Sequence, residues 1–247
     1  MSGRVTHRTT TASAAADGVE RAQLVPPEAG SELALEGLVL GAGTSVELGD
    51  DREDVLVLVS AGSGVLRVGE TTSQVAAVSS LHIPAGAAGG LRAGDSGLEC
   101  VRVSVGPAVD LHAPIGPPEP AVELALVEAG TATGSRSFQI LHGPHNGSVR
   151  ATAFGGTIPP GKAPWHYHLY DEIVWVREGA GRLHLDDETE DLVPGSVFRL
   201  HPREVHIVEN LSPDATLEVV GFFTPAGSPS AAYLEPHVAA SYAIDRA

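Results

Sequence analysis

Short runs of β-branched and other apolar residues, each closed by Gly, Pro or Asp, recur along the chain. They include Val55-Leu-Val-Leu-Val59, Gly64-Val-Leu-Arg-Val68, Glu99-Cys-Val-Arg-Val-Ser-Val105, Ile173-Val-Trp-Val176, Arg182-Leu-His-Leu185 and Leu217-Glu-Val-Val-Gly-Phe-Phe223. Apolar residues at helical spacing are hard to find anywhere. Many short strands at regular intervals predict an antiparallel sandwich or barrel.

The runs repeat. A shift of 117 places Val55-Leu-Val-Leu-Val-Ser-Ala-Gly62-Ser-Gly64 on Glu172-Ile-Val-Trp-Val-Arg-Glu-Gly179-Ala-Gly181, and Leu81-His-Ile-Pro84 on Phe198-Arg-Leu-His201. With one inserted residue, Val105-Gly-Pro107 meets Phe223-Thr-Pro225. A period this long predicts two duplicated domains, not a solenoid. The Pro-rich segment 106–120 reads as a linker between them. The expected organisation is a flexible tail over 1–20, a first domain over 21–105, the linker, a second domain over 121–235 and a tail over 236–247.

Composition narrows the class. The chain has 247 residues, 29 of them glycine and 18 proline, with 43% hydrophobic residues: too much punctuation for a helical bundle and too many apolar residues for a disordered chain. Fifteen basic against 31 acidic residues give a net charge of −16, a field that repels phosphate backbones and anionic membrane surfaces. Nucleic acid and membrane partners are therefore not expected, and no run of roughly 18 apolar residues is present to span a bilayer. The single Cys100 cannot form an internal disulfide, and residues 1–16 lack the apolar segment of a secretory signal. A cytoplasmic protein is the expectation.

Candidate chemistry lies in the second copy. Trp165-His166-Tyr167-His168-Leu-Tyr-Asp-Glu172 precedes a strand, and His206 follows a turn. Side chains alternate faces along a strand, so His166 and His168 project to the same side. Two imidazoles, a carboxylate and a third imidazole from a neighbouring strand could surround a divalent metal: Fe(II), Mn(II), Ni(II), Zn(II) or Cu(II). The competing reading is an exposed pair on a polar edge. The absence of thiolate argues against a structural zinc site.

These residues resemble the cupin superfamily, whose two motifs read G-x5-HxH-x3,4-E-x6-G and G-x5-P-x-G-x2-H-x3-N. Here the first reads Gly161-x4-His166-x-His168-x3-Glu172-x6-Gly179, one residue short after the leading Gly. The second reads Gly195-x5-His201-x-Arg203-x2-His206-x3-Asn210, with His201 where Pro is usual and Arg203 where Gly is usual. Together with the repeat, the resemblance implies an all-β chain of two tandem cupin (jelly-roll) barrels, a bicupin. It also implies metal ligation by His166, His168, Glu172 and His206. At the same offset the first copy has Gly49, Asp51, Val55 and Gly89, so that barrel is expected to keep the fold without the metal and to serve as a packing partner.

The remaining candidates carry two readings each. Arg203 could clamp a substrate carboxylate or be solvated, and His201 could carry protons beside the site or replace an apolar residue at the barrel end. Trp175 and Phe198, with Phe154 and Phe223, could line a pocket at the metal or fill the core. His184 is expected to face solvent, and His142 and His145 to sit in a solvated loop. Cys100 reads as a small core residue.

Four protein ligands on an octahedral metal leave two positions for a bidentate substrate, or for substrate and O2. Glu172 could be a ligand or, loosely held, a catalytic base. The resemblance implies chemistries from dioxygenases and decarboxylases to sugar isomerases and polyketide cyclases, with the His3Glu set closer to the oxygenase and decarboxylase branches. The leading expectation is an Fe2+-favouring oxygenase acting on a small enolisable or phenolic metabolite. A redox-neutral isomerase, lyase or cyclase and a non-catalytic binding module are the alternatives, and a homodimer is the expected assembly.

Overall fold

The computed structural model describes residues 4–7, 17–109, 111–132, 135–186 and 188–234, and the expected C-terminal tail over 236–247 lies outside them. Strand and turn dominate the described chain, and every strand pairing in it is antiparallel. One eight-stranded sheet forms the first barrel. Its two longest strands, Asp54–Val68 and Gly89–Val105, pair over most of their length with register shifts. The second barrel closes between two sheets. One runs Ser196–Leu200, Asp171–Glu178, Leu217–Thr224, Thr152–Ile158, Ser137–His142; the other runs Glu188–Leu192, Gly181–Leu185, His206–Asn210, His166–Tyr167.

The repeat is physical. Val55 pairs with Ile83 and Val57 with Leu81 in the first barrel, while Glu172 pairs with Leu200 and Val174 with Phe198 in the second. All four correspondences keep the offset of 117. On the next strand Asp54 pairs with Val105 and Asp171 with Thr224. Val105 is therefore equivalent to Thr224 and not to Phe223: two residues are inserted there, where the sequence alignment allowed one.

Three apolar clusters follow from strand alternation. Val55, Val57 and Val59 point into the first barrel with Leu38, Leu81 and Cys100. Val174 and Val176 point into the second with Phe198, Leu200 and Val219. The opposite faces, Leu56 and Leu58 on one barrel and Ile173, Trp175, Val220 and Phe222 on the other, form a third cluster between the barrels. The central strands are buried on both faces, which is why their sequences read as continuous apolar runs.

The expected domain boundaries are crossed in both directions. Thr6 and His7, placed in a free tail by the sequence, pair with Val197 and Ser196 of the second barrel. Residues 1–3 and 8–16 of that tail lie outside the described chain. Val19–Val25 already belongs to the first sheet, while Ala121–Glu123, allotted to the second domain, also pairs into it, on Ser79–Leu81. Described residues of the 106–120 segment form neither strand nor helix, and they are held along 144–149 by backbone bonds from His112 to Val149, Ile115 to Pro144 and Glu119 to Asn146.

A buried polar group also lies between the barrels. His82 Nε2 is 3.2 Å from Asp54 Oδ2, Arg150 Nε is 3.2 Å from Asp54 Oδ1, and the His142 ring centre is 5.7 Å from that of His82. His142, expected in a solvated loop, is fully buried, whereas His145 is exposed. Neither His142 nitrogen makes a well-directed hydrogen bond, and its one favourable polar contact is with the Ser80 backbone. Burial, then the nearby His82, lowers its pKa from 6.5 to about 3. The unfolded chain takes up a proton here below pH 6.5 while the folded chain does not until about pH 3. Stability from this group is thus complete above pH 6.5 and falls as pH drops through that window. Replacing His142 by Leu should raise the unfolding free energy from urea titration, relative to wild type, increasingly as pH falls from 7 to 4, by a slope approaching about 1.4 kcal/mol per pH unit. Parallel wild-type and H142L curves across that range would contradict the assignment.

Candidate metal centre

The second barrel brings His166, His168 and His206 together, as their spacing predicts. One ring nitrogen from each lies within 4.8 Å of the others, and this is the one such cluster of three or more His, Cys, Asp or Glu among the described residues. His166 and His206 are direct cross-strand partners, with ring centres 4.4 Å apart; His168 lies 5.3 Å from His166 and 4.7 Å from His206. All three rings are buried.

Two of the imidazoles are fixed by backbone. His166 Nδ1 is 3.0 Å from the Pro164 carbonyl and His206 Nδ1 is 2.9 Å from that of Glu204. A carbonyl only accepts, so each Nδ1 carries the proton and each Nε2 offers its lone pair. Burial, and next the proximity of His168, lowers the His166 pKa to about 4; burial, and next His166 and His168, holds His206 well below its usual value. Both are neutral at physiological pH, the form that binds metals.

Glu172 stands beside this cluster without being one of its converging members. Its Oε2 is 3.1 Å from His168 Nδ1, yet this buried oxygen has no well-formed hydrogen bond. Space for the carboxylate comes from Gly221, where a Cβ would lie 2.7 Å from Glu172 Oε1 and 2.2 Å from the Phe154 ring. A buried carboxylate oxygen left without a donor is costly unless a cation satisfies it. Three imidazoles and this oxygen fit a divalent metal, and the nitrogen and oxygen donors suit Fe, Mn, Ni, Cu or Zn.

The cluster opens into a cavity of about 110 Å³ whose wall includes Phe138, Phe154, Val174, Leu200, Val208 and Val219. Polar groups in the wall include Tyr170 and Arg136, neither of which the sequence reading singled out. Tyr170 had a signal: residues 166, 168, 170 and 172 share one parity, hence one face where the backbone is extended. Its ring stacks on His168 at 4.5 Å and on Phe223 at 4.0 Å, and burial, followed by the Glu172 charge, raises its pKa.

The four residues expected to touch substrate lie elsewhere. Trp175 packs between the barrels, since it is three residues from Glu172 on one strand and points the other way. Phe198 is buried in the second core and does not line the cavity. His201 turns outward, with Nε2 3.4 Å from Glu28 Oε1. Arg203 is exposed and adopts φ +68°, the left-handed conformation that glycine takes without steric cost. The turn of the second motif thus persists without its glycine, and the Arg203 N–H donates to the His168 carbonyl at 2.6 Å. His184, expected in solvent, is half-buried with Nε2 2.7 Å from Glu209 Oε2.

Comparison with known proteins agrees with this architecture. Residues 156–223 match the family model of the cupin domain. No curated protein shows a significant sequence match to the chain. A variant of Bacillus subtilis oxalate decarboxylase superposes with a TM-score of 0.76 at 16% identity, covering 95% of this chain and 80% of that one. The formate complex of Lactobacillus farciminis oxalate decarboxylase gives 0.78 at 14% identity, covering 98% and 91%. Residues 156–223 thus match a cupin domain, and the chain as a whole has the two-barrel, bicupin fold.

The geometry makes two predictions. Protein purified without chelator should hold about one divalent metal per chain by elemental analysis, and His166→Ala/His168→Ala should hold less than a tenth of that; equal metal in both would contradict the site. Arg203→Gly should keep the metal and gain up to about 1 kcal/mol of stability by relieving the left-handed strain, and loss of stability would contradict that reading.

Proposed function

We propose that the second barrel is the catalytic unit of a metal-dependent cupin enzyme, an oxygenase acting on a small enolisable or phenolic metabolite, with His166, His168, His206 and Glu172 as its metal-binding residues and Fe2+ as its metal. The first barrel serves as its structural partner. The observation that carries this reading is the meeting of three buried imidazoles and an unsatisfied carboxylate oxygen at the wall of an apolar cavity. A divalent metal held there would polarise a carbonyl or enol oxygen of the substrate and lower its pKa.

The rest falls to the chain's own residues. Phe138, Phe154 and Val219 limit water at the reacting carbon. Tyr170 stays a neutral phenol whose O–H donates at 3.4 Å to the Pro229 carbonyl; turned from that carbonyl, it can donate to developing negative charge on the substrate. Glu172 is the one carboxylate among the described residues that line the cavity, so ligating the metal and accepting the substrate proton compete for it. As a ligand it leaves no second carboxylate for proton shuttling, which favours cleavage by O2. Both oxygen atoms then enter the products and the substrate supplies every electron, with no external reductant.

A second, redox-neutral reading draws on a separate observation. Glu172 stands outside the converging imidazoles, free to act as a base, and the structural neighbours are decarboxylases, one described with Mn(II) centres. Protein loaded in turn with Fe(II), Mn(II), Ni(II), Cu(II) or Zn(II) should be offered β-dicarbonyls, 2-oxo acids and catechols in an oxygen-electrode cell and under anaerobiosis. The oxygenase reading predicts one O2 consumed per substrate with Fe(II) and no anaerobic turnover. Anaerobic turnover selects the second reading, and ligand binding that is unchanged in H166A without turnover overturns both in favour of a binding module. Glu172→Gln separates the residue's two roles: a base loses 10²- to 10⁴-fold in kcat with metal retained, whereas a ligand loses the metal.

A further inference from the structure

Arg136 is the unusual cation of this chain. It closes the turn before Ser137–His142, where its carbonyl accepts from the Ala132 N–H at 2.8 Å, and its side chain enters the wall of the metal cavity. Its Nη2 donates to the Val208 carbonyl at 2.7 Å, which pins the guanidinium against the strand that carries His206. Every other described arginine that is not exposed has a carboxylate within 4 Å: Arg4, Arg102, Arg150, Arg177, Arg182 and Arg199. Arg136 has none among the described residues, in a chain with 31 acidic residues to choose from. Burial lowers its pKa to about 10, with the Glu172 charge opposing, so it stays cationic at neutral pH. An unpaired cation in an apolar wall is unfavourable unless an anion joins it.

The charges agree on what that anion is. A divalent metal on imidazole donors, the Glu172 carboxylate and the Arg136 guanidinium sum to a positive site. The surrounding carbon wall asks the anion to bring an apolar body. We propose that Arg136 is the substrate-carboxylate receptor of this cavity, and that the substrate class is 2-oxo carboxylic acids with a branched aliphatic or aromatic tail. The carboxylate pairs with the guanidinium nitrogens not committed to Val208, and the enolisable carbonyl lies toward the imidazoles. This inference rests on the metal-site reading above and adds the chemical class that the site accepts.

The test is calorimetric titration of Co(II)-loaded and metal-free protein with 4-methyl-2-oxopentanoate and with its neutral counterpart 4-methyl-2-pentanone, with the Co(II) visible spectrum as a second readout. Wild type should bind the oxo acid at least ten-fold more tightly than the ketone. Arg136→Met should remove at least ten-fold of that affinity with Co(II) stoichiometry unchanged, and Arg136→Lys should fall between. Equal oxo-acid affinity in wild type and R136M, equal binding of acid and ketone, or no binding of the acid overturns the proposal. Arg136-dependent binding to the metal-free protein supports the anion site even if no Co(II) is taken up, an outcome that defeats the metal reading alone.

Discussion

Burial of the strand Asp171–Glu178 on both of its faces is the constraint on which the structure depends. Val174 and Val176 fill the second barrel, while Ile173 and Trp175 fill the seam against the first. Glu172 shares the inner face of Val174 and Val176 and points to the end of the barrel where the imidazoles converge. The strand cannot slip by one residue, because that would exchange the faces and send Glu172 into the seam. The first barrel, whatever else it does, fixes this register by supplying Leu56, Leu58 and Val103 to the same seam. Asp171, on the outer face, is tied to Ser31, and Arg199 beside it to Glu28 at 2.6 Å and to the Leu33 carbonyl, so polar contacts lock the same alignment.

Much of this was legible in the residues. The offset of 117 located both barrels because homologous strands must keep their cross-strand partners, and Glu172 with Leu200 repeats Val55 with Ile83. The His-x-His spacing located two imidazoles because alternation puts them on one face. Trp175 could have been set aside by the same alternation that puts His166 and His168 on one face, since it is an odd number of residues from Glu172; what obscured it was that strands buried twice show no polar face to mark the outside. Arg203 had suitable chemistry for an anion clamp, but its backbone occupies a turn that aims the side chain away. Arg136 does the converse: no motif surrounds it, and only the closure of the barrel brings it to the wall of the cavity that holds the three imidazoles. The exchange of Thr6–His7 and Ala121–Glu123 between barrels was likewise invisible, since two- and three-residue strands carry too little pattern to declare a partner.

The site combines features that reinforce one another. Backbone carbonyls at Pro164 and Glu204 fix the tautomers of His166 and His206, burial keeps those two imidazoles neutral, and Gly221 leaves room for the carboxylate. Around them an apolar wall excludes water and raises the strength of every charge interaction within it. Such a cavity tolerates few charges, which makes the presence of Arg136 informative about what binds. Fold likeness to oxalate decarboxylases, at 14–16% identity, does not carry their substrate with it.

The central claim is that three imidazoles of the second barrel hold one divalent metal. X-ray absorption of the metal-loaded protein tests this most directly, because imidazole rings are counted by their multiple scattering. The account predicts three imidazole ligands at about 2.0–2.2 Å in wild type and two in His206→Ala. A spectrum with no imidazole, or one unaltered by the substitution, would contradict it.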